Sequence, residues 1–194
     1  MHYIAGLGNP GEEYENTRHN AGRIAALDFI VKKDIDEPEF NKKLNALVSE
    51  GKLGKNKFQI ILPETFMNKS GLSLKPIIAS AKKAKDLIVI HDDVDLPLGK
   101  IKISFGRSSG GHKGVESIIK NIKTKDFARI RIGVSKAGVK GKVKKPQGDK
   151  FLDFIVGNFK PDELKEIKKA SKKVTEALDT LIAEGLNKAM SLYN

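Results

Sequence analysis

Two rhythms of apolar and polar positions alternate along this chain of 194 residues. Short β-type runs occur at Tyr3-Ile4-Ala5, Leu44–Ser49, Lys57–Leu62, Leu87–His91, Lys100–Phe105 and Ile130–Val134. Leu87-Ile88-Val89-Ile90 is apolar without interruption, the pattern of a strand covered on both faces. Lys100-Ile101-Lys102-Ile103-Ser104 and Arg129-Ile130-Arg131-Ile132 alternate, which predicts strands with one wet face.

Between these runs the apolar residues recur at helical spacing. Arg23–Lys33 carries Ile24, Leu27, Ile30 and Val31, and Leu72–Lys83 and Gly114–Ile122 are shorter candidates. The longest is Pro161–Glu184, with Leu164, Ile167, Val174, Leu178 and Leu181 on one stripe. Pro161 suits a first helical turn and Gly185 suits a helix end. The alternation predicts an α/β fold: one domain over residues 1–194, a three-layer sandwich with a twisted mixed β-sheet flanked by helices. Lys136–Lys150 has no apolar period and is rich in Lys, Gly and Pro, so it reads as a mobile basic loop, too short to link independent domains.

Composition narrows the function. Lys and Arg number 36 against 24 acids, a formal charge of +12. Such a field attracts polyanions, nucleic acid first and an anionic membrane surface second. Aromatic residues make up 6% with no Trp, which argues for charged backbone contacts over base-stacking platforms. The absence of cysteine excludes disulfides, thiolate nucleophiles and Cys-based zinc sites. No apolar run approaches the ~18 residues of a membrane span. No basic stretch leads into an apolar core at the start, so no signal peptide is read and a cytoplasmic location is expected.

Gly6-x-Gly8-x-x-Gly11 has the spacing of a dinucleotide loop, but its context fails. Pro10 interrupts it, the next helix begins near Gly22, and the acid at the right distance, Asp28, falls within a helix. The glycines are expected instead to admit a close backbone approach. Asn9 then projects from a strand end, followed by the polar run Asn16-Thr17-Arg18-His19-Asn20. Three further polar clusters follow. Asn68, in Phe66-Met67-Asn68-Lys69-Ser70-Gly71, either caps a helix or offers an amide to a peptide or a water. His91-Asp92-Asp93-Val94-Asp95 ends the most apolar strand, where site carboxylates gather, and Asp92 could orient a histidine. As a metal set, Asp92, Asp93 and Asp95 lack a completing acid. Gly106–Gly114 exposes backbone N–H groups beside Arg107, His112 and Lys113, a setting for phosphate. His19, His91 and His112 all fall in these clusters, which favours one shared site.

Together these segments make the chain similar to bacterial peptidyl-tRNA hydrolases. The resemblance is carried by Gly6–Gly11 with Tyr14, Thr17–Gly22, Phe66-Met67-Asn68, His91–Gly99, Gly110–Gly114 and Arg129–Gly133, in order across nearly the whole chain. It implies a monomer needing no metal or other cofactor that hydrolyses the ester between a peptide and the 3′ end of tRNA. It implies His19 as catalytic base with Asp92 as its partner. Asn9, Tyr14, Asn20, Phe66, Met67, Asn68, His112 and Lys113 are the expected substrate contacts. Lys102, Arg107, Arg129 and Arg131 are the expected tRNA contacts, with a contribution from Lys140–Lys145. Lys113 stands where the family often has Asn, and Ser104 where a basic residue is frequent; Lys113 suits acceptor-end phosphates and Arg107 can compensate for Ser104. No nucleophile elbow is present, so direct attack by water is expected. The competing readings are a non-catalytic RNA binder on the same scaffold, as in a plant intron-splicing relative, and a metal-dependent nuclease using Asp92, Asp93 and Asp95.

Overall fold

The uninterrupted run at 87–90 lies in the interior of a sheet, in a strand covered on both faces as its pattern requires. The computed structural model describes residues 1–138, 143, 145, 146 and 148–194. Among these, seven strands form one mixed sheet: β1 (His2–Gly6), β2 (Glu39–Asn41), β3 (Ala46–Leu53), β4 (Asn56–Pro63), β5 (Leu87–Pro97), β6 (Ile101–Phe105) and β7 (Ala128–Ser135). Their order is β2-β3-β4-β1-β5-β7-β6. β1 runs parallel to β4 and β5, and β5 parallel to β7; the outer strands pair antiparallel. Ile88 and Ile90 enter one apolar cluster and Leu87 and Val89 enter the other, on the opposite face. No described helix is long and apolar enough to cross a membrane.

The first cluster joins the sheet to α1 (Ala21–Lys32), α6 (Pro161–Ala183) and α7 (Leu186–Tyr193). The second joins it to α2 (Gly71–Leu74), α3 (Ala81–Ala84) and α4 (Lys113–Ile122). A further helix, α5 (Asp149–Val156), precedes α6. The expected helix over Leu72–Lys83 is broken into α2 and α3. Pro76 falls between them without an N–H to donate, and Ser80 caps α3 by accepting from Lys83 N.

α1 buries Ile30 and half-buries Ile24 as their spacing predicts, but the other two large apolar residues of that stripe turn outward. Leu27 and Val31 are exposed, at 38% and 81%, whereas Ala21, Gly22, Ala25, Ala26 and Phe29 are buried. The small face brings the helix backbone onto the sheet. A Cβ on Gly22 would lie 2.2 Å from the Ile90 carbonyl oxygen, and one on Gly6 would lie 2.5 Å from Ala26 Cβ. The glycine spacing at 6–11 therefore serves a helix–sheet approach, and Arg23 N donates to Leu7 O across it at 2.9 Å.

β2, α5 and α7 have no counterpart in the pattern read from sequence. α5 begins inside Lys136–Lys150, expected to be loop throughout. Of that segment, residues 139–142, 144 and 147 lie outside the described residues, and with them Lys140, Lys142 and Lys144. Ala137 and Val143 form an antiparallel bridge.

Candidate active site

Parallel strands bring their carboxyl ends to one edge of the sheet, the place where open α/β sheets build sites. Asn9 follows β1, the 3-10 turn Met67–Lys69 follows β4, and Asp92 lies within β5. His19 sits in a second 3-10 turn, Arg18–Asn20, directly before α1. His112 is the N-cap of α4.

Asp92 is the hub. It is 3% exposed, and its Oδ1 lies 2.9 Å from His19 Nδ1 and 2.9 Å from His112 Nε2. The backbone fixes one tautomer. His112 Nδ1 accepts from Gly114 N at 3.1 Å and Val115 N at 3.3 Å, so the ring proton resides on Nε2 and is donated to Asp92. His19 likewise donates Nδ1–H to the carboxylate, which leaves its Nε2 lone pair for the cavity it lines. Burial by itself favours protonation of Asp92, but the two neighbouring imidazoles outweigh it and hold the carboxyl well below the usual range. Burial would depress His19; the charge and hydrogen bond of Asp92 together overcome this and raise its pKa. His19 is therefore a base strengthened by a fixed anion.

His91 is buried beside this pair, its ring 4.6 Å from that of His112. Nδ1 donates to Asp92 O at 2.7 Å. Burial, the largest cause, pushes its pKa well below the ordinary value, so it is a neutral imidazole.

The amides divide into two kinds. Asn9 Oδ1 accepts from Met67 N at 2.8 Å, which joins the β1 and β4 loops and leaves its Nδ2 free to donate. Asn20 is 1% exposed; its Oδ1 accepts from Asn9 N at 2.8 Å and its Nδ2 donates to Asn9 O at 2.9 Å. Asn20 thus faces Asn9 rather than the cavity, and Met67, 4% exposed, meets the site through its backbone. Asn68 is exposed and makes no cap hydrogen bond on the turn it occupies. Tyr14 and Phe66 pack edge to face, with centroids 6.3 Å apart.

A cavity of about 950 Å³ opens from His19 and Asp92 toward Lys102, Arg107, Arg131 and Phe151. Arg131 Nε lies 2.6 Å from Asp93 Oδ2, which aligns the guanidinium at the cavity wall. Arg129 differs from the other cations: it is 2% exposed, and its Nη1 donates to Ser108 O at 2.8 Å. Burial, then Arg131, lowers its pKa to about 10. It braces the 106–111 loop from beneath. Lys113 is exposed, 3.4 Å from Glu116, and borders both this cavity and a smaller one of about 400 Å³ that includes Asn68. The pairing of Asp93 with Arg131 and of Arg18 with Glu163 was not legible in the sequence, because these partners are brought together only by strand register and by contacts to residues beyond 130.

Three possible metal ligands, on His19, Asp92 and His112, lie within 4.8 Å of one another. The donor set opposes a cation there. Binding through His112 Nε2 would move the ring proton to Nδ1, against two backbone N–H groups that already point at it. Asp93 and Asp95 pair instead with Arg131 and Lys145, so the three aspartates do not converge on one point.

Comparisons with known proteins identify the family. Residues 3–194 match the family model described as peptidyl-tRNA hydrolase. The peptidyl-tRNA hydrolase of Alkaliphilus oremlandii is 39% identical over 195 residues, covering 100% of both chains. That of Thermodesulfovibrio yellowstonii is 40% identical, covering 100% of this chain and 99% of its own. The crystal structure of peptidyl-tRNA hydrolase from Acinetobacter baumannii superposes with a TM-score of 0.86 at 28% identity, over 100% of this chain and 94% of that one. With Asn9, His19, Met67, Asp92 and His112 gathered at one sheet edge and the match running from residue 3 to residue 194, the chain belongs to the peptidyl-tRNA hydrolase family.

Proposed function

We propose that this chain hydrolyses the ester joining a peptide to the 3′ end of tRNA, with His19 as general base. The observation that carries the reading is the single Asp92 oxygen that receives both His19 Nδ1–H and His112 Nε2–H. It leaves one activated lone pair facing the basic cavity. Water attacks the ester carbonyl carbon as His19 Nε2 takes its proton, and Asp92 stabilises the imidazolium. General-base help of this kind is worth about 10²–10⁴-fold. In this reading the tetrahedral oxyanion is met by the free amide of Asn9, and Asn68 holds the peptide or the water. On collapse the bond to the ribose oxygen breaks and the imidazolium returns its proton to that oxygen.

Roles divide by burial. Asn20 and the backbone of Met67 hold Asn9 in place, and His112 holds the carboxylate. Tyr14 and Phe66 supply an apolar edge for the peptide, and Lys113 an exposed cation. Lys102, Arg107 and Arg131 meet tRNA phosphates, contacts that grip the acceptor end without reading sequence; Arg129 supports their loop. The chain is read as working as a monomer, and the substrate implies work in the cytoplasm.

The test is hydrolysis of an N-blocked aminoacyl-tRNA. The wild type is expected to release free tRNA and to be indifferent to chelator, while His19→Ala loses turnover and retains tRNA affinity. Full turnover by His19→Ala removes His19 from the role of base.

A further inference from the structure

We infer that Arg18, adjacent to the proposed base, is a positioning residue that anchors α5 as a wall of the cavity. The inference rests on the reading of that cavity as the peptidyl-tRNA site. α5 brings Phe151 and Leu152 to the cavity, and both are exposed, at 38% and 63%. Within the helix Ile155 is buried and Phe154 half-buried, while Lys150, Asp153 and Val156 are exposed. An eight-residue helix has little stability of its own, so its place depends on what holds it.

The backbone ties its carboxyl end through Arg18 N to Gly157 O at 3.1 Å and Phe159 N to Asn16 O at 2.8 Å, and the Arg18 guanidinium adds the side-chain anchor. Nη1 donates to Phe154 O at 3.2 Å and to Gly157 O at 3.1 Å, the carbonyls at the carboxyl end of α5. A cation suits that end of a helix, where carbonyls lack partners. The same guanidinium lies 4.5 Å from the Phe154 ring centroid and 5.5 Å from that of Phe159. Nη2 is fixed by Glu163 Oε2 at 2.7 Å, and that oxygen also accepts Lys160 N at the start of α6. Both partners are at least nine-tenths buried. Arg18 thus ties the joint between α5 and α6 to the turn that bears His19.

His19 has supports that α5 does not share. Its ring is held by Asp92, and the next residue, Asn20, is clamped to Asn9. Loss of the guanidinium should therefore loosen the wall while leaving the base in place. The expected signature is a rise in KM for tRNA substrates with kcat retained.

Removing Arg18 alone would strand a buried carboxylate. The test variant is R18M/E163Q, which deletes both charges and keeps an acceptor for Lys160 N. KM for an N-blocked aminoacyl-tRNA is expected to rise about tenfold, with kcat and its acid limb unchanged. Amide hydrogen exchange over 150–156 should accelerate by about tenfold while 113–122 keeps its protection. Arg18→Lys, which keeps the charge but not the planar fork, should fall between the two; it carries the comparison if the double variant does not fold. Unchanged KM and unchanged exchange in α5, or a loss confined to kcat, would overturn the inference. Absence of hydrolysis by the wild type would strike the functional reading instead, and the exchange comparison would still decide the anchor.

Discussion

Replacing Asp92 by Asn separates charge from geometry at the hub. Both histidines donate to the same oxygen, Oδ1, at 2.9 Å each. An Asn carbonyl oxygen placed there can accept both bonds, so both tautomers survive, and the new amide nitrogen takes the position of Oδ2. What disappears is the negative charge beside the forming imidazolium. Two unit charges about 4 Å apart at an effective dielectric of about 20 interact by roughly 4 kcal/mol. At about 1.4 kcal/mol per decade, this is close to a 10³-fold loss in kcat/KM. The pH profile provides a second reading of the same quantity. In the wild type the raised pKa of His19 places the acid limb above the ordinary histidine value of about 6.5. In Asp92→Asn, burial is no longer opposed by the carboxylate, and the limb should move below that value. Steady-state hydrolysis of an N-blocked aminoacyl-tRNA between pH 5 and 8.5 measures both. A rate within about tenfold of wild type, with an unmoved limb, would refute an electrostatic role for Asp92. Asp92→Ala, which removes the acceptor as well, should be slower still.

The remaining expectations concern the frame and the surface. Gly22→Ala places a methyl against the Ile90 carbonyl and should cost about 3 kcal/mol or more by urea denaturation; a loss under about 1 kcal/mol would show that α1 shifts freely. His91 is neutral when folded but takes a proton near pH 6.5 when unfolded, so its contribution is present above that pH and declines as pH falls. Subtracting the stability of His91→Gln from that of the wild type should give a smaller difference at pH 5.5 than at pH 7.5, and a difference that grows toward acid would contradict this sign. Arg131→Gln should weaken tRNA binding for all sequences alike and reduce the salt slope of log Kd by about one; a slope equal to wild type would place Arg131 off the phosphate path.

The sequence carried the strands well because their periods were unambiguous. The run at 87–90 and the alternation at 101–105 and 129–132 each correspond to a strand of the sheet. α1 was legible in part: Ile30 is buried as its spacing implies, but Leu27 and Val31 face outward because Ala21, Gly22, Ala25 and Ala26 bring the helix backbone onto the sheet. The site was legible as four polar clusters, since His19, Asp92 and His112 meet as their coincidence implied. Finer placement was not. That Asn20 turns toward Asn9, that Arg129 lies beneath its loop and that Asp93 reaches Arg131 depend on register and depth. α5 was hidden by the lysine- and glycine-rich stretch into which it runs, and its anchor, Arg18, lies 136 positions from the carbonyl of Phe154.

The first turn of α4 acts as an author of protonation. Two main-chain hydrogens dictate which edge of His112 is left to face Asp92, and thereby how many donors reach that oxygen. No side chain issues this instruction, although Gly114 guards it, since a Cβ there would lie 2.5 Å from Met67 Sδ and 3.1 Å from His112 Cε1. Substitutions at the exposed positions of the helix, such as Glu116, can drift while the site keeps its inventory of hydrogens, provided the chain still coils at Gly114 and Val115.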